Sequence, residues 1–163
     1  MGTHAVPRAG LVACVLLLAA CGSPASPPAF DAHAFEQQVL AARGGEALRR
    51  LSDQVVAAGP AVVPQLVRWL EHPARGVREV AAHALGDLAP ADPAVAPALA
   101  ARLEDPDDYV RWKVVRALGR QGARALAWRD ALTAIAQADR EVEVVRAAAE
   151  RALLEIDGGR PPP

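Results

Sequence analysis

One line of text occurs three times in this chain. It reads Val77-Arg78-Glu79-Val80-Ala81-Ala82-His83-Ala84-Leu85-Gly86, then Val110-Arg111-Trp112-Lys113-Val114-Val115-Arg116-Ala117-Leu118-Gly119, then Val145-Arg146-Ala147-Ala148-Ala149-Glu150-Arg151-Ala152-Leu153-Leu154. The Arg-to-Arg steps are 111 − 78 = 33 and 146 − 111 = 35. A fixed period in this range marks a solenoid, in which each unit buries its apolar face only by stacking on its neighbours. The fold class that follows is all-α, an α-α superhelix of about four helical hairpins.

The text between the repeated lines keeps the same period. Pro60 and Pro93 are 33 apart, as are Pro64 and Pro97, Leu66 and Leu99, Leu70 and Leu103, and Pro73 and Pro106. Asp92-Pro93 reads as N-cap and first residue of a helix, with Gly59-Pro60 its weaker counterpart. Pro64 and Pro97 then fall one turn inside, where a missing N–H predicts a kink. Asp105-Pro106-Asp107-Asp108 and Asp139-Arg140-Glu141 give the second helices acidic starts. The expected helices span 30–43, 45–58, 60–72, 74–88, 93–104, 107–121, 124–138 and 141–156. Gly86 and Gly119 read as helix-end glycines. The step of 35 puts a two-residue insertion in the loops of the last unit.

Val77, Val80, Ala81, Ala84, Leu85 and Leu88 recur at helical spacing and predict a core stripe, repeated by Val110, Val114, Ala117 and Leu118 and by Val145, Ala149, Ala152, Leu153 and Ile156. Trp128 aligns with Val95 and Val62 and is expected in the core; Trp69 aligns with Arg102 and is expected half-exposed. Opposite the stripe, projection at 100° per residue points Glu79, Ala82 and His83 outwards. The equivalents are Trp112, Val115 and Arg116, then Ala147, Glu150 and Arg151, and, stepping back, Glu46, Arg49 and Arg50.

An acid or proline, a short gap, Val-Arg, then Ala-Ala-x-Ala-Leu-Gly resembles the HEAT repeat, specifically the short form of phycobilisome-lyase-like proteins. The resemblance covers residues 60–156, with 30–59 as a degenerate first unit. It implies that the second helices line a concave face. Arg50, His83, Arg116 and Arg151 would then form a row inside the groove, with Trp112 beside it. It also implies that Arg78, Arg111 and Arg146 pair with acids between neighbouring repeats, for which Asp105, Asp107, Asp108, Glu141 and Glu143 are available. Such repeats serve scaffolds, lyases and adaptors alike.

The N-terminus carries an address. Arg8 precedes an apolar run from Leu11 to Ala20, which is followed by Cys21-Gly22. A charged start, a short apolar stretch and small residues before a cut make a secretory signal. The run is about half of the roughly 20 residues needed to cross a bilayer. Leu18-Ala19-Ala20-Cys21 resembles the lipobox of bacterial lipoproteins, which implies acylation at Cys21 and a membrane anchor. Gly22 in place of an aspartate tilts the destination towards the outer membrane, facing the periplasm. The expected organisation is a signal peptide at 1–20, a Pro/Ser-rich linker at 21–29, the repeat domain at 30–157 and a tail at 158–163. After residue 20 the chain has 17 basic and 19 acidic residues, a formal charge of 17 − 19 = −2, which argues against a nucleic-acid partner.

Catalytic signals are poor. His33, His72 and His83 show no ligand spacing, and no His-Glu dipeptide occurs. Ser23 and Ser26 lie in the linker, and Ser52 has no evident base. No cofactor, no metal and no catalytic residue is expected. The expected function is a non-enzymatic, lipid-anchored envelope scaffold that binds a protein or peptide through Arg50, His83, Trp112, Arg116 and Arg151, tryptophan and arginine being enriched among binding hot spots. The rival readings are a lyase-like or chromophore-attachment enzyme and a structural spacer with no specific ligand.

Overall fold

The structure, a computed structural model, describes residues 30–88 and 92–158. Among these residues there are eight α-helices and no strand: α1 Ala32–Ala41, α2 Gly45–Ala57, α3 Val63–Trp69, α4 Arg75–Leu88, α5 Val95–Ala100, α6 Asp108–Arg120, α7 Arg129–Ala136 and α8 Glu143–Ile156. The signal-peptide and linker assignments, Cys21 included, and the end of the tail lie outside the described residues. The second helices α2, α4, α6 and α8 pack side by side in chain order. The first helices α3, α5 and α7 each lie on the second helix of their own hairpin, and α1 reaches across to α4. The helical hairpins thus form the expected α-α superhelix.

The first helices are short because proline shapes their entry. Pro60 opens a 3-10 turn, Pro60–Val62, that runs into α3 with Pro64 in its first turn. Pro97 is the third residue of α5, which follows a turn capped by Asp92, whose carboxylate accepts from the Ala94 N–H at 2.8 Å. The expected kinks are therefore absent. First-turn residues have no intrahelical N–H partner, so a proline there costs no hydrogen bond. The helix expected at 124–138 likewise splits into a 3-10 run, Gly122–Trp128, and α7. The second helices are full length. Asp107 caps α6, accepting from the N–H groups of Tyr109 and Val110 at 3.0 and 3.1 Å.

The stripe residues form one continuous core. Leu66, Leu85, Leu99, Leu118 and Leu132 are fully buried, one from nearly every layer of the stack. Each burial of this kind stabilises by about 1.5–3 kcal/mol. Two tryptophans depart from expectation. Trp69 is 3% exposed, stacked on Phe35 with ring centroids 5.8 Å apart, and its indole N–H donates to Glu36 at 3.1 Å. It is covered by Phe30, just before α1, and by Phe35 of α1, aromatics with no counterpart in the other repeats. Trp128 is only half-buried against the core and lines an open cavity together with Leu103 and Ile135. The 3-10 run turns Ala125 into the core in its place.

The outward column is also partly wrong. Glu79, Ala82 and Val115 are 4%, 0% and 0% exposed. A second helix here meets its own first helix and two neighbouring second helices, so its buried sector is wider than one stripe. Gly86 and Gly119 serve this packing and are not end caps. Both sit inside their helices, and a Cβ on Gly86 would lie 3.0 Å from the Ala117 Cα, one on Gly119 2.9 Å from the Ala152 Cα. They let adjacent second helices approach closely.

Arginine latches join the hairpins. Arg78 holds Asp105 with two hydrogen bonds, 2.8 and 3.0 Å, and donates to the carbonyls of His72 and Pro73. Arg111 repeats the arrangement one unit on, gripping Glu141 at 2.8 and 2.7 Å and donating to the Asp105 carbonyl. This ion pair holds the Glu141 carboxyl below the usual carboxylate range. Arg146, with no further repeat beside it in the described residues, pairs with Glu143 of its own helix. Arg75 adds a contact between repeats, 3.0 Å from Asp107.

Candidate ligand-binding cleft

The cleft lies between α6 and α8. It has a volume of about 430 Å³, and Trp112, Arg116, Arg120, Val144, Arg151 and Glu155 stand around it. Helical spacing brings Trp112, Arg116 and Arg120 to one side of α6. Val144 and Arg151 face them from α8, nearly two turns apart. Trp112 is half-buried, and its ring packs on Tyr109 at 5.1 Å. The Arg116 guanidinium carbon lies 4.8 Å from the Trp112 ring centroid, within cation–π range. Val144 is 61% exposed, the most open large apolar side chain among the described residues.

Of the five residues expected to bind, the structure brings three together: Trp112, Arg116 and Arg151. His83 touches the margin, sharing a shallow crevice with Arg116 and Arg120. Arg50 is not part of the cleft. It lies exposed on α2 with Glu46 at 3.4 Å. Stepping by one repeat aligns residues in angle but moves each along the stack by about 8–10 Å. Three such steps separate Arg50 from Arg151. Arg120, Val144 and Glu155 were not expected. Arg120 is one helical turn beyond Arg116. Val144 is an apolar residue beside the stripe residue Val145, and this doubling is the available signal for it.

A single lysine sits under the aromatic pair. Lys113 is 8% exposed, and its ammonium lies 5.0 Å from the Trp112 centroid and 5.4 Å from that of Tyr109. Among the described residues no carboxylate lies within the 4.0 Å of an ion pair, and burial lowers its pKa, with Arg116 and Arg49 adding to the effect and Glu79 opposing it. Glu79 is its buried neighbour on α4. Burial raises the Glu79 pKa against the pull of Arg75, which lies 3.6 Å away. His83 is pushed down to about 4, first by burial and then by the charges of Lys113, Arg120 and Arg116, with Asp53 opposing. Asp87 is 3.2 Å from His83 but is shared with Arg120, so it does not hold the imidazole charged. This histidine is neutral at ordinary pH.

Among the described residues no three His, Cys, Asp or Glu side chains form a metal-binding group, and no helix is long and apolar enough to cross a membrane. The residues around the cleft can stack, cover apolar surface and donate hydrogen bonds to an anion.

The family model for HEAT repeats matches the chain twice, over residues 36–119 and 63–154. The chain belongs to the HEAT repeat family. No curated protein matches it significantly. The HEAT assignment agrees with the stacked second helices and inter-repeat latches, and HEAT repeats typically mediate protein–protein interaction. The first match starts within α1, so the irregular first hairpin falls inside the HEAT region.

Proposed function

We propose that this HEAT repeat protein is a non-catalytic scaffold or adaptor of the bacterial cell envelope that binds a protein or peptide on the face formed by its second helices. One observation carries the reading: Trp112, Arg116, Arg151 and the exposed Val144 stand around a single open cleft between α6 and α8. Tryptophan and arginine are among the residues most enriched in binding hot spots, and the uncovered valine adds apolar surface beside them.

Two variants test it. Trp112→Ala should weaken capture of the envelope partner by about 30-fold or more, the loss that defines a hot spot. Because the ring also packs on Tyr109, the same change should cost about 1 kcal/mol of stability, half a full burial. Val144→Glu is the cleaner probe, since its side chain makes little contact with the fold. It should leave the melting temperature unchanged and still block capture. Retention of the partner by both variants would dismiss the cleft as a binding site.

The anchor is proposed from the Leu18-Ala19-Ala20-Cys21 string. Acyl chains on Cys21 would tether the repeat domain, since two or three chains hold firmly where one is marginal. Residues 21–29 reach at most about 30 Å, which would keep the domain near the membrane surface. Gly22 supports the outer membrane and its periplasmic side. Cys21→Ser should release the protein into the soluble fraction. Mass spectrometry of the mature N-terminus decides the matter, because an unmodified peptide that begins elsewhere removes the anchor and the location with it.

A further inference from the structure

We infer that the α6–α8 cleft takes an acidic segment of a partner protein, one in which a carboxylate side chain stands next to an apolar side chain. This rests on the reading of the cleft as a protein-binding site and adds the chemistry of the partner. The argument begins with which cations on this face are already matched. Arg50 has Glu46, Arg120 has Asp87, and Arg151 has Glu155. Arg49, Lys113 and Arg116 have no carboxylate within 4.0 Å among the described residues. Asp53 is an acid on the same face that is also without such a cation. Glu79 and Asp107 share the single cation Arg75, which leaves one further acid uncompensated, so the unmatched groups sum to 3 − 2 = +1. Burial is the main cause of the depressed His83 pKa, and Lys113, Arg120 and Arg116 add to it against Asp53, in keeping with this excess of positive charge.

Geometry narrows the ligand further. Arg116 rests its guanidinium on the Trp112 ring and donates no hydrogen bond to any described residue. Stacking uses the face of the guanidinium and leaves its edge of N–H donors free, the fork that matches a carboxylate with two parallel bonds. Lys113 is too buried to reach a ligand, so it acts as fixed positive charge beneath the ring. Arg151 keeps Glu155 but is itself open to solvent, on the far wall. Val144 and the rest of the Trp112 surface supply the apolar contact. A carboxylate on Arg116 and an aliphatic group against Val144 would fill the two chemistries of the cleft together.

The probes are three labelled peptides of one length, alternating Glu with Leu, Gln with Leu, and Lys with Leu, titrated against the full-length protein by fluorescence anisotropy. The Glu/Leu peptide should bind about tenfold to a hundredfold more tightly than the Gln/Leu peptide, the effect of a charge-assisted hydrogen bond. The Lys/Leu peptide should not bind, and added salt should weaken the Glu/Leu complex. Arg116→Gln should erase the preference for Glu over Gln. Trp112→Ala should weaken binding of both peptides. Equal binding of the Glu and Gln peptides, still lost on Trp112→Ala, overturns the acidic assignment and leaves the binding reading in place. If neither peptide binds, the acidic assignment also falls, and partner capture that is still Trp112-dependent keeps the binding reading. Capture that ignores Trp112 removes both. Displacement of the Glu/Leu peptide by a thymidine oligonucleotide at equal concentration would reassign the cleft to nucleic acid.

Discussion

Asp105→Ala should lower unfolding stability by about 3–5 kcal/mol, the usual consequence of stranding a buried charge. The Asp105 side chain is 0% exposed and that of Arg78 10%. The carboxylate accepts both guanidinium bonds and also the Asp107 N–H at 3.0 Å, so it shapes the turn into α6 as well. Its loss leaves Arg78 charged, buried and held only by the carbonyls of His72 and Pro73. Asp105→Asn keeps the shape without the charge and should cost nearly as much. The double replacement Arg78→Met with Asp105→Leu should recover most of the loss, because an apolar pair of similar volume avoids the desolvation penalty. Denaturant titration of the three variants checks this. A shift under 1 kcal/mol in Asp105→Ala would mean that water reaches the pair and that the latch is weak.

Gly119→Val should cost about 3 kcal/mol, the upper part of the range for overpacking a tight contact. The residue lies inside α6, where replacing glycine by alanine ordinarily stabilises by about 1 kcal/mol. The neighbouring helix reverses that sign. The first added carbon would stand 2.9 Å from the Ala152 Cα and 2.8 Å from the Glu155 carboxylate. Glu155 can swing aside, but the Ala152 backbone cannot move without shifting α8. Gly119→Ala should therefore destabilise despite its better helix propensity, and valine more so. Thermal melts of the two variants test the packing directly. A stabilised Gly119→Ala would show that α6 and α8 stand further apart in solution.

These two positions mark what could and could not be read from the chain. The period placed the helices to within a few residues, because the apolar stripe, the prolines and the acidic starts all repeat together. The pairing of Arg78 and Arg111 with acids of the next repeat followed from the HEAT resemblance, with Asp105 and Glu141 among the acids available to it. The roles of Gly86, Gly119, Ala82 and Val115 were not. A helical projection knows one apolar face, and small residues register weakly on it. Here α4 has four helical neighbours and α6 three, and the contacts between second helices are made by those small residues. Trp69 was misjudged for a related reason, since the aromatics that cover it come from α1 and the residues just before it, where the repeat is faint. In the cleft, Trp112, Arg116 and Arg151 were readable as residues of one angle. Excluding Arg50 needed distance along the stack, which an alignment of repeats does not contain. Lys113 and Val144 needed the tertiary packing itself.

The latches bear on recognition although they lie away from the cleft. Arg78 and Arg111 sit near the loop ends of their helices, and each grips a carboxylate of the following hairpin. Through Glu141, Arg111 ties the start of α8 to α6, and these two helices are the walls of the cleft. If the cleft binds as proposed, its opening would thus be preorganised, because the backbone positions that carry Arg116 and Arg151 are already set. Preorganisation favours affinity by reducing the ordering that association demands. A variant of Glu141, which contacts nothing in the cleft, would then lengthen the search for a productive pose and shorten the lifetime of the complex. Binding losses at such a remote residue would report the rigidity of the superhelix.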